Sequence, residues 1–143
     1  MPIKSFRGLL QDGDTETIFL HTNNGATGYR IVKFQLMAQN LGSQEYQNVV
    51  KVYSVEQTGA PTSTIDFSDQ TLIAAGYYEG NQATGYIEDL QVVFDNAIFN
   101  QDIHLTHKDD DGGQPVNYYI ELEQIRLNIN ENTVATLKDI RNQ

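Results

Sequence analysis

The sequence predicts an all-β fold, a jelly-roll or immunoglobulin-like β-sandwich of about eight strands, on three observations. Short stretches alternate apolar and polar residues with a period of two, as strands buried on one face do. Clusters rich in Gly, Asn and Asp separate these stretches and mark turns. Charged residues make up only 20% of the chain, while Asn, Gln, Thr, Ser and Gly dominate the remainder. That balance suits sheet faces and loops better than long exposed helices. The 143 residues are one domain's length. We divide them into a sandwich over 1–129 and a short C-terminal helix or arm over 130–143.

Ile3–Leu10 is the first strand, with Phe6, Gly8 and Leu10 on one face. Residues 11–14, QDGD, form a turn, since Asp-Gly tolerates the positive φ of a tight reversal. Residues 16–21 set Ile18 and Leu20 against Thr17, Phe19 and His21. A loop with an Asn-Gly signal follows at 22–28. In 29–38 the even positions Val32, Phe34 and Leu36 form the core face. Residues 48–57 are apolar on both faces near their start, which fits a central strand or one that meets a partner chain. Residues 71–79 form a strand rich in small residues, and Gly76 inside it points to a bulge or a close approach by another backbone. Residues 87–95 place Leu90, Val92 and Phe94 on the core face, and Ile98 and Phe99 then tuck inward.

The stretch 116–129, VNYYIELEQIRLNI, organises the rest. Tyr118, Ile120 and Leu122 share a face; then the apolar set moves to Ile125, Leu127 and Ile129. A β-bulge near Glu123 and Gln124, or a twist from one sheet to the other, accounts for the change of phase. With 102–108 and the Gly-rich loop 109–115 before it, this stretch reads as a hairpin at the sandwich centre. Beyond it, Val134, Leu137 and Ile140 recur every three residues, a short helix or arm that needs a surface to pack on.

The net charge of −10 and pI near 4.5 argue against a nucleic-acid partner, which requires basic residues on the phosphates, and against an anionic membrane surface. With no Cys there is no disulfide, thiol nucleophile or thiolate metal site. No apolar run approaches the ~18–20 residues of a membrane span. The N-terminus lacks the apolar core of a signal peptide, so synthesis in a cytoplasm is expected.

No constellation carries catalysis. His104 and His107 stand three apart on a strand and face opposite ways, whereas ligands of one metal share a face. Asp109, Asp110 and Asp111 before Gly112 and Gly113 resemble a crude calcium loop, but the ligand spacing is wrong and a solvated hairpin tip is the simpler reading. Glu121 and Glu123 share a face, one carboxylate pair among 19 acidic residues. Neither a Gly-x-Ser-x-Gly elbow nor a phosphate-binding glycine loop is present. No metal and no cofactor is expected. Tyr77, Tyr78, Tyr86, Tyr118 and Tyr119 serve either as cross-strand packing or as a surface for a partner or a sugar.

In texture the chain resembles small virion structural proteins of tailed bacteriophages, especially marine ones. The likeness rests on KSFRGLL (4–10), the Asn-Gly loop before GYRIVKFQ (28–35), STIDFSDQTLIAAGYYEG (63–80) and NYYIELEQIRLNINENTVATLKDIRNQ (117–143). It implies a non-enzymatic particle component, foremost a capsid decoration (cement) protein. Its partners would be the major capsid protein or other virion proteins, in a homo-oligomer with a trimer favoured. It would reside in the virion and touch neither nucleic acid nor membrane. The expected partner interface is Val134, Leu137 and Ile140, with Tyr77 and Tyr78. The rival readings are a tail or head–tail component and a carbohydrate-binding module that stacks sugars on Tyr77, Tyr78 and Tyr86.

Overall fold

The computed structural model describes residues 2–21, 25–40, 46–80 and 87–127, with the side chains of 87 and 88 left aside. Eight strands follow one another among them: β1 (Ile3–Leu10), β2 (Thr15–Ile18), β3 (Thr27–Ala38), β4 (Tyr46–Tyr53), β5 (Leu72–Gly80), β6 (Ile87–Phe94), β7 (Ile103–Asp109) and β8 (Val116–Arg126). They form a three-stranded sheet in the order β1-β8-β3 and a five-stranded sheet in the order β2-β7-β4-β5-β6. Every pairing is antiparallel. The fold is an all-β sandwich. The expected helix or arm over 130–143 lies outside the described residues, as do Val134, Leu137 and Ile140.

The pairings nest. β1 meets β8, β2 meets β7, and β4 meets β5. These are rungs of one long hairpin rolled over on itself, which is the jelly-roll arrangement and not the immunoglobulin one. The remaining rung, β3 with β6, is not hydrogen-bonded; β6 extends the larger sheet beyond β5 instead. Just past β6, an isolated bridge between Tyr29 and Phe99 ties its exit to the start of β3.

This topology corrects the expected C-terminal hairpin. β7 belongs to the larger sheet and β8 to the smaller. Both edges of each strand are already taken, by β2 and β4 for β7 and by β1 and β3 for β8. Residues 109–115 therefore carry the chain across from one sheet to the other. Gly112 and Gly113 make that reversal with φ of 87° and 63°, values that L side chains avoid.

The core lies between the sheets. Val116, Tyr118, Ile120 and Leu122 of β8 face Val50 and Val52 of β4 and Ile103 and Leu105 of β7. The even-numbered phase of β8 holds as expected as far as Leu122. The expected bulge near Glu123 and Gln124 does not: the register there is regular, and the irregularity sits opposite, between Ile31 and Lys33 of β3. Val32 is the extra residue, so it is exposed and Ile31 is buried, while Phe34 and Leu36 keep the expected core face. Past β8, Leu127 is buried.

β4 is central, as its two apolar faces predict, with β7 on one side and β5 on the other. Residues between β4 and β5 cross its outer face. There Lys51 Nζ donates to Thr62 Oγ1 at 3.2 Å and to the Thr64 carbonyl at 2.7 Å. Burial lowers the Lys51 pKa, and the Asp69 carboxylate opposes that shift. Gly76 makes the expected close approach, to a side chain as well as a backbone: a Cβ there would stand 2.9 Å from Leu36 Cδ1 of the opposite sheet and 3.3 Å from the Gln91 carbonyl of β6. Gly8 leaves room for the Tyr118 ring in the same way, with only 2.9 Å between a Cβ and Tyr118 Cε1. The Tyr118 hydroxyl donates to Glu16 and so ties the smaller sheet to β2. Burial and that carboxylate push the Tyr118 pKa up.

Two expected outcomes follow. Ile120 is fully buried and is flanked in register by Phe6 and Phe34, so Ile120→Ala costs about 2–5 kcal/mol in urea denaturation. Gly8→Ala costs about 1–3 kcal/mol, because the ring it would push is anchored at its far end.

Candidate functional site

The register of the smaller sheet fixes what its outer face presents. Leu9, Asn117 and Met37 form one cross-strand row; Arg7, Tyr119 and Gln35 form the next. Ser5, Glu121 and Lys33 make the third, and Ile3, Glu123 and Arg30 the last. The first three rows enclose a trough of about 670 Å³ lined by Arg7, Leu9, Lys33, Gln35, Met37, Asn117 and Tyr119. Met37 is 64% exposed and Leu9 37% exposed at its apolar end. Tyr119 Oη donates to Glu121 Oε2 of the next row at 2.5 Å. That hydrogen bond raises the Tyr119 pKa, with Ser5 and Arg7 pulling the other way. Arg30 pairs with Glu123 at 2.7 Å. Tyr, Met and Arg are the residue types enriched where proteins meet.

The histidines and acidic groups singled out in the sequence are engaged elsewhere. His107 is fully buried at the end of β7. Its Nδ1 lies 2.8 Å from the Gln11 carbonyl and its Nε2 2.6 Å from Asn48 Oδ1. A neutral ring donates from Nδ1 to Gln11; the Asn48 amide, whose two ends have the same shape, then meets Nε2 with its NH₂. Burial lowers the His107 pKa against the pull of the Gln11 carbonyl and the Asp12 and Asp109 carboxylates. His104 faces the other way and reaches Thr17 Oγ1 at 3.0 Å. His21 meets Asp102 at 2.8 Å. Burial of Asp102 works to raise its pKa, but hydrogen bonds from the His21 backbone and side chain and from Leu20 win, and the pKa is lowered.

The acidic loop is neither a hairpin tip nor a solvated one at its base. Asp109 is buried, and its carboxylate accepts from the backbone N–H of Gln47 at 2.8 Å, Asp111 at 3.0 Å and Gln114 at 2.5 Å. Asp12 in turn accepts from the Asp109 N–H at 2.8 Å and lies 3.7 Å from Lys108 Nζ. These groups lock the 11–14 turn, with Gly13 at φ 85°, to the 109–115 crossover. Among the described residues no group of three or more His, Asp or Glu is placed to hold a metal ion.

Of the expected interface residues, Tyr78 lies inside the sandwich, its ring 5.1 Å from that of Tyr46. Burial, then the neighbouring Tyr46, raises its pKa. Tyr77 points the opposite way and donates to Asp89 at 2.5 Å. The two do not form one platform. Tyr86, Val134, Leu137 and Ile140 fall outside the described residues. Sequence reading named Tyr119 but missed the row it belongs to, because Leu9, Met37 and Arg7 join it only through strand pairing.

No family model matches the chain, and none of the curated proteins searched matches it. Among solved structures the chain is similar to the crystal structure of the Drosophila NLP-core, a study of pentamer formation and histone binding in that protein. The identity is 13% and the TM-score 0.49, over 89% of this chain and all (100%) of that one. At that score the likeness carries no argument about function.

The His107 shift sets a pH dependence. The unfolded chain takes up a proton near the ordinary histidine pKa of 6.5, and the native imidazole resists it. The contribution is therefore fully present above pH 6.5 and is lost as pH falls through that value toward the lowered native pKa. Urea midpoints at pH 7.5 and 5.5 should differ less in His107→Gln than in the parent chain.

Proposed function

We propose that this chain is a non-enzymatic virion structural protein, a capsid decoration protein that docks on shell subunits through the outer face of its smaller sheet. The observation that supports the reading is the trough around Tyr119. An acidic chain gathers Arg7 and Lys33 there beside exposed Leu9 and Met37, on a face formed by three paired strands. Exposed apolar area beside Tyr and Arg side chains is the composition enriched where proteins meet. The rigid sandwich beneath presents that face with little ordering cost on binding. A protein bound across a joint between subunits stabilises the bound arrangement by mass action. The sequence texture described above supports the same reading, and a tail or head–tail location is its nearest rival.

Cryo-electron microscopy of purified particles tests it. Copies spread over the capsid lattice, contacting it through the Tyr119 face, are expected. A ring of copies at the tail vertex moves the protein to the rival location, and absence from particles sinks both. Tyr119→Ala and Met37→Glu should each weaken binding to stripped shells by at least tenfold, roughly 1.4 kcal/mol. The melting transition of both variants should stay close to that of the parent.

A further inference from the structure

Charge is divided unevenly between the two sheets. β1, β3 and β8 hold Lys4, Arg7, Arg30, Lys33 and Arg126, five of the chain's nine basic residues, against the two carboxylates of Glu121 and Glu123. The strands of the larger sheet hold two basic residues against five acidic ones. Those two basic residues are committed: Lys51 donates to Thr62 and Thr64, and Lys108 lies beside Asp12. The smaller sheet is therefore net positive on a chain of net charge −10.

On its outer face both carboxylates are engaged. Glu121 accepts from the Tyr119 hydroxyl, and Glu123 pairs with Arg30. Arg7 and Lys33 form no ion pair among the described residues. They stand on opposite edges of the sheet and in adjacent rows, with Tyr119 and Glu121 between them. Strand spacing sets their Cα atoms roughly 12 Å apart. Leu9 and Met37 expose apolar area at the same end of the face.

We propose that the partner seated on this face is an acidic polypeptide surface, with one carboxylate on Arg7, a second on Lys33 and an apolar side chain over Leu9 and Met37. The proposal rests on the reading of this face as the docking surface. Covering it strips water from two cations that have no counter-charge of their own, and a carboxylate opposite each restores what is lost. Arg7 can receive its carboxylate through two parallel N–H groups. The same layout disfavours a continuous polyanion. Nucleic acid and anionic bilayers spread charge evenly over a contact, and here the central strand would set Glu121 and Glu123 against it. Separate carboxylates at the two edges avoid that repulsion.

Binding of the full chain to stripped shells tests the partner's chemistry. Raising NaCl from about 0.05 M to about 0.5 M should weaken binding at least tenfold, through screening of the two contacts. Arg7→Gln and Lys33→Gln should each weaken it about fivefold or more at low salt and flatten the salt dependence. Thr58→Glu, in the segment between β4 and β5, lowers the net charge by the same amount and should leave binding unchanged. Carbodiimide treatment of the complex should join Lys33 Nζ to an Asp or Glu of a shell subunit. Tight binding that ignores salt and both Gln variants overturns the acidic partner and leaves the docking reading standing. No binding at any salt overturns both. A Lys33 cross-link to a second copy of this chain, or retention of a duplex DNA probe that Lys33→Gln abolishes, also overturns the proposal.

Discussion

The apolar seam between β8 and the pair β4 and β7 is the interaction on which the remaining structure depends. Among the described strands β8 alone pairs with both others of the smaller sheet, and its inward residues Val116, Ile120 and Leu122 have no exposed surface. The larger sheet answers with Val50, Val52, Ile103 and Leu105, equally sealed. Burying each such side chain is worth roughly 1.5–3 kcal/mol. With both edges of β7 and β8 hydrogen-bonded, neither can slip without turning its whole apolar set outward. The crossover between them must then span the thickness of the sandwich. That requirement explains why 109–115 holds a buried carboxylate and two glycines of positive φ.

Burying a polar group costs free energy unless it is hydrogen-bonded; Ser54 Oγ and Thr106 Oγ1 are buried without a partner among the described residues, whereas the charged and imidazole groups near the sandwich ends are satisfied. Asp109 gathers three backbone N–H groups, a pattern that substitutes for the water the loop loses. His107 bridges β4 and the 11–14 turn from within the core. Tyr118 and Glu16 do similar work across the β1 and β2 side. The Asp111 and Gln114 contacts of Asp109 are local, but the others join segments separated by about sixty to a hundred positions and so report the closed topology. The same groups that looked like candidate chemistry in the sequence are therefore consumed in holding loops.

Strands were legible because one buried face imposes a period of two, and β4 was legible as central because its second face is apolar as well. Pairing was not. The signal that predicted a hairpin, two alternating stretches about a Gly-rich loop, reports only that the chain reverses. It is silent on whether the second strand joins the same sheet. Val32 was misplaced because a bulge adds a residue without altering the local pattern. Tyr78 looked equivalent to Tyr77, yet a strand sends neighbours to opposite faces, and only burial of the sheet decides which is inside. The outer face around Tyr119 was hidden most completely. Its rows draw on residues near 7, 35 and 119, brought together by two long-range ladders.

Charge gives the two surfaces different characters. A chain of net charge −10 repels copies of itself at long range and keeps them apart until specific contacts form. On the outer face of the smaller sheet Arg7 and Lys33 locally offset that field. The β6 edge has no such guard between Leu90 and Phe94, and an apolar edge accepts any strand that reaches it. The outer face of the smaller sheet is guarded by contrast: anything that covers Leu9 and Met37 there must also satisfy Arg7 and Lys33.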